Sequence, residues 1–167
     1  MHASRRLAAV LLVVAALGAI ASVADARRRP KQSLSALVNG RRVKFGRKLI
    51  TSTGSAETGT IAFGGGQQPH RLGQTLRGLS IGCAVALASP VFPVEAQFCS
   101  LGYSETHFAR QLTSKAWAAV DGVHLTVTSF DGTRVTGTFD GTLPPAPGTD
   151  AAPVTITDGA FSILLGG

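Results

Sequence analysis

The chain has 167 residues and a formal net charge of +7, and 44% of its residues are hydrophobic. This length allows one domain with a single hydrophobic core and excludes two full-sized domains. The 16 Lys and Arg residues lie in no nucleic-acid recognition motif and are not combined with aromatic stacking residues, so the charge does not predict a specific nucleic-acid binder.

Residues 1–26 have the three parts of an export signal. Two arginines precede an apolar run at residues 7–24, and the small-residue pattern Ala24-Asp25-Ala26 follows. Cleavage after Ala26 is expected to leave a mature chain that begins at Arg27. The apolar run has 18 residues, at the lower limit of a membrane span, so the alternative is an uncleaved N-terminal helix that anchors the protein. Both alternatives predict an exported domain, periplasmic or extracellular.

Positive charge is concentrated just after this signal. Nine Lys or Arg residues and no acid lie between Arg27 and Lys48, whereas five basic and eight acidic residues follow. Residues 27–32 are predicted to be a basic flexible tail, ahead of a domain at residues 33–167. The basic segment is a candidate for contact with an anionic envelope polymer or lipid surface, and the alternative is a solvated tail and hairpin face. The residues assigned to this contact are Arg41, Arg42, Lys44, Arg47 and Lys48.

The first strands are predicted around an Asn-Gly pair. Leu34, Ala36 and Val38 alternate with polar residues up to Asn39-Gly40, and the alternation continues after it. An Asn-Gly pair suits a two-residue hairpin because both central residues of a type I′ turn need positive φ. The sequence therefore predicts an opening hairpin.

The two cysteines, Cys83 and Cys99, are predicted to form a disulfide. An even number of cysteines in an exported chain favours a bridge, and the alternative is two buried thiols. Residues 76–88 are apolar but contain two glycines and no helix cap, so we expect a strand with a bulge or bend. Turn-forming residues follow, and residues 91–99 are expected to be the return strand.

Residues 105–120 are the one stretch whose composition suits a short helix. Phe108, Leu112 and Trp117 occur there in a roughly amphipathic order. A short helix or helical turn is therefore included as an alternative at this position.

Four Asp-Gly pairs divide the last third of the chain into short alternating runs. We expect hairpin turns at these pairs, and the Pro-rich residues 143–153 are expected to cross between sheets or to follow an edge. The domain is predicted to be all-β, a single antiparallel β-sandwich or partly closed barrel of about eight to ten strands built of hairpins. The pairs are Asp121-Gly122, Asp131-Gly132, Asp140-Gly141 and Asp158-Gly159.

The sharpest chemical motif is Gly78-Leu79-Ser80-Ile81-Gly82, which matches the G-x-S-x-G nucleophile elbow of serine hydrolases. Ser80 would be the nucleophile, and Asp121 and His124 follow it in the required order. The elbow needs a strand-to-helix turn, yet a strand-like run follows the motif. We therefore favour two structural glycines in a strand and expect no enzyme.

The sequence shows no spacing of metal ligands, and neither a metal nor a cofactor is expected. His70, His107 and His124 are far apart, and the Asp-Gly pairs do not form a calcium loop. Trp117 and Tyr103 are candidates for a carbohydrate platform, but a single Trp in a small domain is more often a core residue.

Two sequences bracket nearly the whole mature chain: Ser35-Ala36-Leu37-Val38-Asn39-Gly40 with Phe45 after it, and residues 135–143 followed by 154–161. In this order they resemble uncharacterised families of exported bacterial proteins and lipoproteins. The resemblance implies a small exported β-domain and supplies no catalytic residues. The chain differs from the lipoprotein members because it has no cysteine at the end of the apolar run.

These features predict an exported bacterial protein that serves as a non-catalytic binding or structural module of the cell envelope. The alternative is a carrier of a small apolar ligand, with a pocket between sheets, and the weaker alternative is a serine hydrolase that uses Ser80. A pocket lined by in-phase Phe and Leu residues would favour the carrier, whereas a filled core would favour the module.

Overall fold

Alternating apolar and polar residues fold the described part of the chain into eleven β-strands. The computed structural model describes residues 31–67, 73–88, 91–109 and 112–165. A single turn of 3-10 helix, Arg47–Leu49, is the one helical element within these ranges. The strands are β1 (Ser33–Val38), β2 (Arg41–Lys44), β3 (Thr51–Ser55), β4 (Thr60–Gly66), β5 (Thr75–Ala84), β6 (Val94–Glu95), β7 (Gln97–Phe108), β8 (Leu112–Ala119), β9 (Val123–Phe130), β10 (Arg134–Leu143) and β11 (Val154–Leu164).

The strands form two antiparallel sheets. The six-stranded sheet has the order β2-β1-β11-β10-β9-β6, and the five-stranded sheet has the order β3-β4-β5-β7-β8. Their apolar sides contribute to one core, and the sheets do not close into a barrel. The predicted all-β sandwich is confirmed, with one strand more than the predicted range.

The predicted export signal and most of the basic tail lie outside the described residues. In the part of the chain that is described, no helix has the length and apolar character needed to span a membrane.

The helix considered for residues 105–120 is wrong. Phe108 ends β7 and Leu112 begins β8, and the two strands pair with Tyr103 opposite Trp117. Trp117 and Ala119 are buried, whereas Ala118 between them is exposed, so the burial period is two rather than 3.6. Pairing with β7 and burial of the Trp117 ring outweigh the helix propensity of the alanines.

Two of the five Asx-Gly pairs lie inside strands rather than at turns. Asn39-Gly40 joins β1 to β2 with φ values of 47° and 76°, as predicted, and Asp131-Gly132 joins β9 to β10. Asp121-Gly122 connects β8 to β9 and therefore crosses between the sheets. Asp140-Gly141 lies within β10 and Asp158-Gly159 within β11, where the register between these strands shifts.

The bulge in β11 corrects a change of phase in the apolar pattern. Val154 and Ile156 are buried, and so are Phe161 and Ile163, although the two pairs stand an odd number of residues apart. Asp158 has a φ of 47° and lies where β11 has one residue more than both β10 and β1. The additional residue turns Phe161 back toward the core.

Aromatic rings join the two sheets at the centre of the core. The ring centroids of Phe63 on β4 and Phe161 on β11 are 4.6 Å apart, and Phe139 on β10 packs at 6.4 Å from Phe63. Gly137 gives the ring of Phe161 its space, because a Cβ atom there would lie 2.6 Å from the ring. Gly159 does the same for Phe139, also at 2.6 Å.

Cys83 on β5 and Cys99 on β7 form the predicted disulfide, with a Cα–Cα distance of 4.2 Å. Closing a loop of this length stabilises the fold by about 3 kcal/mol in the chain-entropy model. The predicted irregularity in β5 is confirmed by the register shift between Gly82 and Ala84. The predicted return strand at residues 91–99 is only partly correct, because β6 pairs with β9 of the other sheet before β7 begins.

The Pro-rich segment follows an edge, which was one of its two predicted paths. Pro145 forms a bridge with Trp117, and the N–H groups of Ala118 and Ala146 donate to Pro144 and Ala116. The segment therefore covers the free side of β8. The Trp117 indole donates a hydrogen bond of 2.8 Å from Nε1 to the carbonyl of Ala152, which holds the later part of the loop.

We expect Gly137→Ala to lower the free energy of unfolding by about 1–3 kcal/mol, the usual cost of overpacking a core. The added Cβ would lie 2.2 Å from the carbonyl oxygen of Thr126 and against the Phe161 ring. Gly46→Ala is the control, because Gly46 has a φ of −65° and its added Cβ meets an atom only at 3.5 Å. Urea unfolding followed by Trp117 fluorescence measures both, and equal stability of the two variants would contradict the packing described.

Candidate functional site

Polar side chains replace apolar ones toward one end of the core-facing side of the five-stranded sheet. On β5, Arg77 lies two residues before the buried Leu79, and on the antiparallel β7, Glu105 lies two residues after the buried Tyr103. The register places Arg77 opposite Glu105, and Glu105 opposite Lys115. The N–H of Gln67, just after β4, donates to the carbonyl of Arg77. We call Gln67, Arg77, Glu105 and Lys115 the polar row.

Glu105 is the centre of a fixed hydrogen-bond cluster. Its Oε1 atom accepts a hydrogen bond of 2.7 Å from the Tyr103 hydroxyl and one of 3.1 Å from Nε of Arg77. The side chains of Arg77 and Glu105 are each 33% exposed, so the pair is open to solvent on one side. The Tyr103 ring packs against Trp117 with centroids 5.6 Å apart, which ties the cluster to the aromatic core.

Electrostatics keep the hydroxyl neutral and the guanidinium charged. Burial raises the pKa of Tyr103 far above its ordinary value, and the hydrogen bond to Glu105 raises it further. Burial lowers the pKa of Arg77, but the hydrogen bond to Glu105 and the nearby negative charge outweigh burial, so the net pKa is raised. Tyr103 therefore remains a donor to Glu105 throughout the neutral range.

The residues predicted to contact an anionic surface lie along β2 and the 3-10 helix. Arg41, Arg42 and Lys44 are exposed on β2, an edge strand, and Lys48 is exposed in the helical turn. The side chain of Arg47 lies outside the described part of the structure. We call Arg41, Arg42, Lys44 and Lys48 the basic edge. No acid of the described residues lies within 4.0 Å of these four side chains.

Gln67, a member of the polar row, also contacts the basic edge. Gln67 donates from its backbone N–H to the carbonyl of Arg77 at 2.9 Å, and from Nε2 to the carbonyl of Lys44 at 3.1 Å. Lys44 at the end of β2 and Arg77 near the start of β5 therefore lie at the same end of the sandwich.

The polar row was missed in the sequence because its members are up to 48 residues apart. The signal that could have found it is the phase of the strands. Arg77 stands in phase with the apolar Leu79 and Ile81, and Glu105 stands in phase with Leu101 and Tyr103. A charged residue at a core-facing position of a strand is uncommon and points to a specific partner.

The nucleophile-elbow geometry is absent at Ser80. This residue lies in the middle of β5, paired with Gly64 on one side and Gly102 on the other. Asp121 lies on the connection between the sheets, and Nδ1 of His124 is 2.9 Å from Oδ1 of Asp140. This hydrogen bond, helped by the charge of Asp140, raises the pKa of His124 above its ordinary value. The structure therefore does not bring Ser80, Asp121 and His124 together.

The other sequence candidates are also placed by the fold. Trp117 and Tyr103 are buried in the core, 5% and 3% exposed. Within the described ranges, no group of three or more His, Cys, Asp or Glu side chains could hold a metal ion. His107 lies on β7, with Nδ1 3.3 Å from the Thr75 hydroxyl, and His70 lies outside the described residues.

Two open depressions lie on the six-stranded sheet, around Asp140 and the bulges. Their volumes are about 370 and 450 Å³, and polar residues such as His124, Thr155 and Asp158 contribute to their walls. Mostly exposed residues of a single sheet line these depressions, so they do not have the position expected of a pocket between sheets. They give the carrier alternative no support.

Comparisons with protein-family models, with curated proteins and with solved structures find no match to this chain. The resemblance to uncharacterised exported families therefore stays a prediction.

Tyr103 is the only tyrosine, so its ionisation can be followed by ultraviolet absorbance without overlap. We expect a midpoint far above 10.0 in the folded protein. Glu105→Gln should lower the midpoint yet leave it raised, because burial remains. A pKa raised by folding adds stability at lower pH, and this stability is lost as the pH rises from the unfolded value toward the folded one. A midpoint near 10.0 in the folded parent would contradict the cluster.

Proposed function

We propose that the protein is exported and acts in the bacterial cell envelope as a non-catalytic binding module for an anionic polymer. The observation that carries the proposal is the basic edge, where four exposed cations have no acidic partner within 4.0 Å in the described part of the chain. A series of unpaired cations creates a positive potential that attracts a polyanion. The basic residues that precede β1 in the sequence add to the same charge.

Export is supported by the sequence and by the disulfide. Bridges such as Cys83–Cys99 form and persist outside the cytoplasm and are rare within it. Residues 1–26 have the pattern of a cleaved signal.

Expression of the full chain in a bacterial host, followed by cell fractionation and mass spectrometry, tests export. We expect a protein outside the cytoplasm whose mass corresponds to a chain that starts at Arg27 and contains one disulfide. A membrane-bound chain that retains residues 1–26 would support the anchored alternative instead. Accumulation of a reduced protein in the cytoplasm would contradict export.

A polymer fits the basic edge better than a lipid surface does. Arg42 and Lys44 are two residues apart on one strand, so their Cα atoms are roughly 7 Å apart on the same side. The large hydrophobic side chains that are exposed in the described ranges, Val91, Phe98, Leu112 and Val120, all lie outside the basic edge. Leu37, opposite Arg42 on β1, is only partly exposed, so no fully exposed large apolar side chain on β1 or β2 is offered to a bilayer.

The alternative is a purely structural role, in which the charges protect β2 from pairing with another chain. Lys and Arg are common on edge strands because they oppose edge-to-edge association. Both roles need exposed cations on β2, so only the response to their removal separates the two.

The matched experiment compares two double variants of the mature chain in binding to a soluble polyuronate. Arg42→Gln with Lys44→Gln removes two charges from the basic edge. Ala62→Glu with Ala118→Glu changes the net charge by the same amount at exposed positions on the outer side of the five-stranded sheet. Because each Lys or Arg near an anionic surface contributes about 1 kcal/mol, we expect the first pair to bind about thirtyfold more weakly and the second pair to change little.

Three outcomes would overturn the proposal. Equal weakening by both pairs would show that net charge alone attracts the polymer. Unchanged binding with increased aggregation of the Arg42→Gln, Lys44→Gln variant would favour edge protection. Binding to phosphatidylglycerol vesicles without binding to the polyuronate would favour a lipid surface.

A further inference from the structure

We infer that the polar row is a second binding site, which takes a small hydroxylated organic anion such as a sugar acid or a sugar phosphate. This site lies on the five-stranded sheet and is separate from the basic edge. The inference rests on the hydrogen-bonding groups that the row leaves unused, on their fixed positions and on the charge of the row.

The unused donors belong to Arg77 and Lys115. Arg77 donates to Glu105 through Nε and also interacts with the Tyr103 hydroxyl, which leaves part of its guanidinium for a ligand. A guanidinium fork matches the two oxygens of a carboxylate or phosphate. Lys115 is exposed opposite Glu105, and no acid of the described residues lies within 4.0 Å of its ammonium group.

The unused acceptor belongs to Glu105. Oε1 already accepts from both Tyr103 and Arg77, whereas Oε2 accepts from no donor in the described ranges. An anion without hydroxyl groups would be repelled by Glu105 and could not donate a hydrogen bond to Oε2. A ligand that carries hydroxyl groups beside its anionic group can donate to Oε2 while its oxyanion lies against Arg77 and Lys115.

The charges of the row favour an anion over a neutral sugar. Arg77 and Lys115 are cationic and Glu105 is anionic, so the row has an excess of positive charge. The partly buried position of Arg77 and Glu105 strengthens hydrogen bonds relative to fully exposed side chains.

The cluster is also held ready for a ligand. Tyr103 fixes the Glu105 carboxylate at 2.7 Å, and its own ring is fixed by Trp117. Glu105 in turn orients the Arg77 guanidinium through Nε. A site whose groups are already positioned loses less conformational entropy when a ligand binds.

A purely structural role explains the row less well. A partly exposed ion pair contributes little to stability, and an apolar pair would continue the alternation of β5 and β7.

The ligand chemistry is tested by titration of the isotope-labelled mature chain, followed by amide chemical shifts and by the fluorescence of Trp117, the only tryptophan. The probes are glucuronate and glycerol phosphate, and the controls are glucose, acetate and inorganic phosphate. We expect saturable shifts near residues 75–78 and 103–106 with one or both probes. Response to glucuronate alone assigns a sugar acid, and response to glycerol phosphate alone assigns a phosphate ester.

Variants connect the response to the row. Arg77→Lys keeps the charge but loses the fork, and Glu105→Gln keeps the size but changes the acceptor, so each should weaken binding at least about tenfold if its bidentate or charge-assisted bonds are lost. Glu57→Gln, at an exposed acid between β3 and β4, is the control for the charge change of Glu105→Gln and should leave probe binding unchanged. Urea unfolding of each variant identifies any that has lost its fold.

Several results would overturn the inference. They are no shift with either probe, equal binding of acetate or glucose, or full binding by both folded polar-row variants. The test is independent of the proposed function, because Arg42→Gln with Lys44→Gln should retain probe binding. Loss of polymer binding with retained probe binding, or the reverse, would identify which of the two sites has failed.

Discussion

The packing of Phe63 against Phe161 is the interaction on which the sandwich depends. It joins the two sheets at a centroid distance of 4.6 Å, and several irregular features exist to permit it. The bulge at Asp158 turns Phe161 inward, and Gly137 leaves space beside its ring. A regular β11 would direct Val154 and Phe161 to opposite sides of the sheet, so only one of these two side chains would lie in the core.

The sequence predicted the sandwich wherever the apolar period stayed regular, as in β1. The prediction failed where the same local sequence occurs in two different structures. An Asp-Gly pair supplies positive φ both to a turn and to a bulge, so Asp131-Gly132 and Asp158-Gly159 look alike before pairing partners are known. The phase change between Ile156 and Phe161 carried the missing information. Residues 105–120 failed for another reason, because cross-strand pairing outweighed local helix propensity.

The two parts of the candidate site differ in how far they could be predicted. The basic edge comes from one short stretch of sequence, so charge counting was sufficient to find Arg42, Lys44 and their neighbours. The polar row depends on the register of four strands, and no local pattern brings Arg77 next to Glu105. Charged residues in an apolar phase do mark the individual positions. Their mutual contacts follow only from the paired strands.

Three of the four sheet edges carry features that oppose further pairing. Charges follow β2, β6 has only two residues, and the segment with Pro144 and Pro145 covers β8. The prolines have no N–H group to offer another strand. Copies of the domain are therefore hindered from joining edge to edge into a continuous sheet.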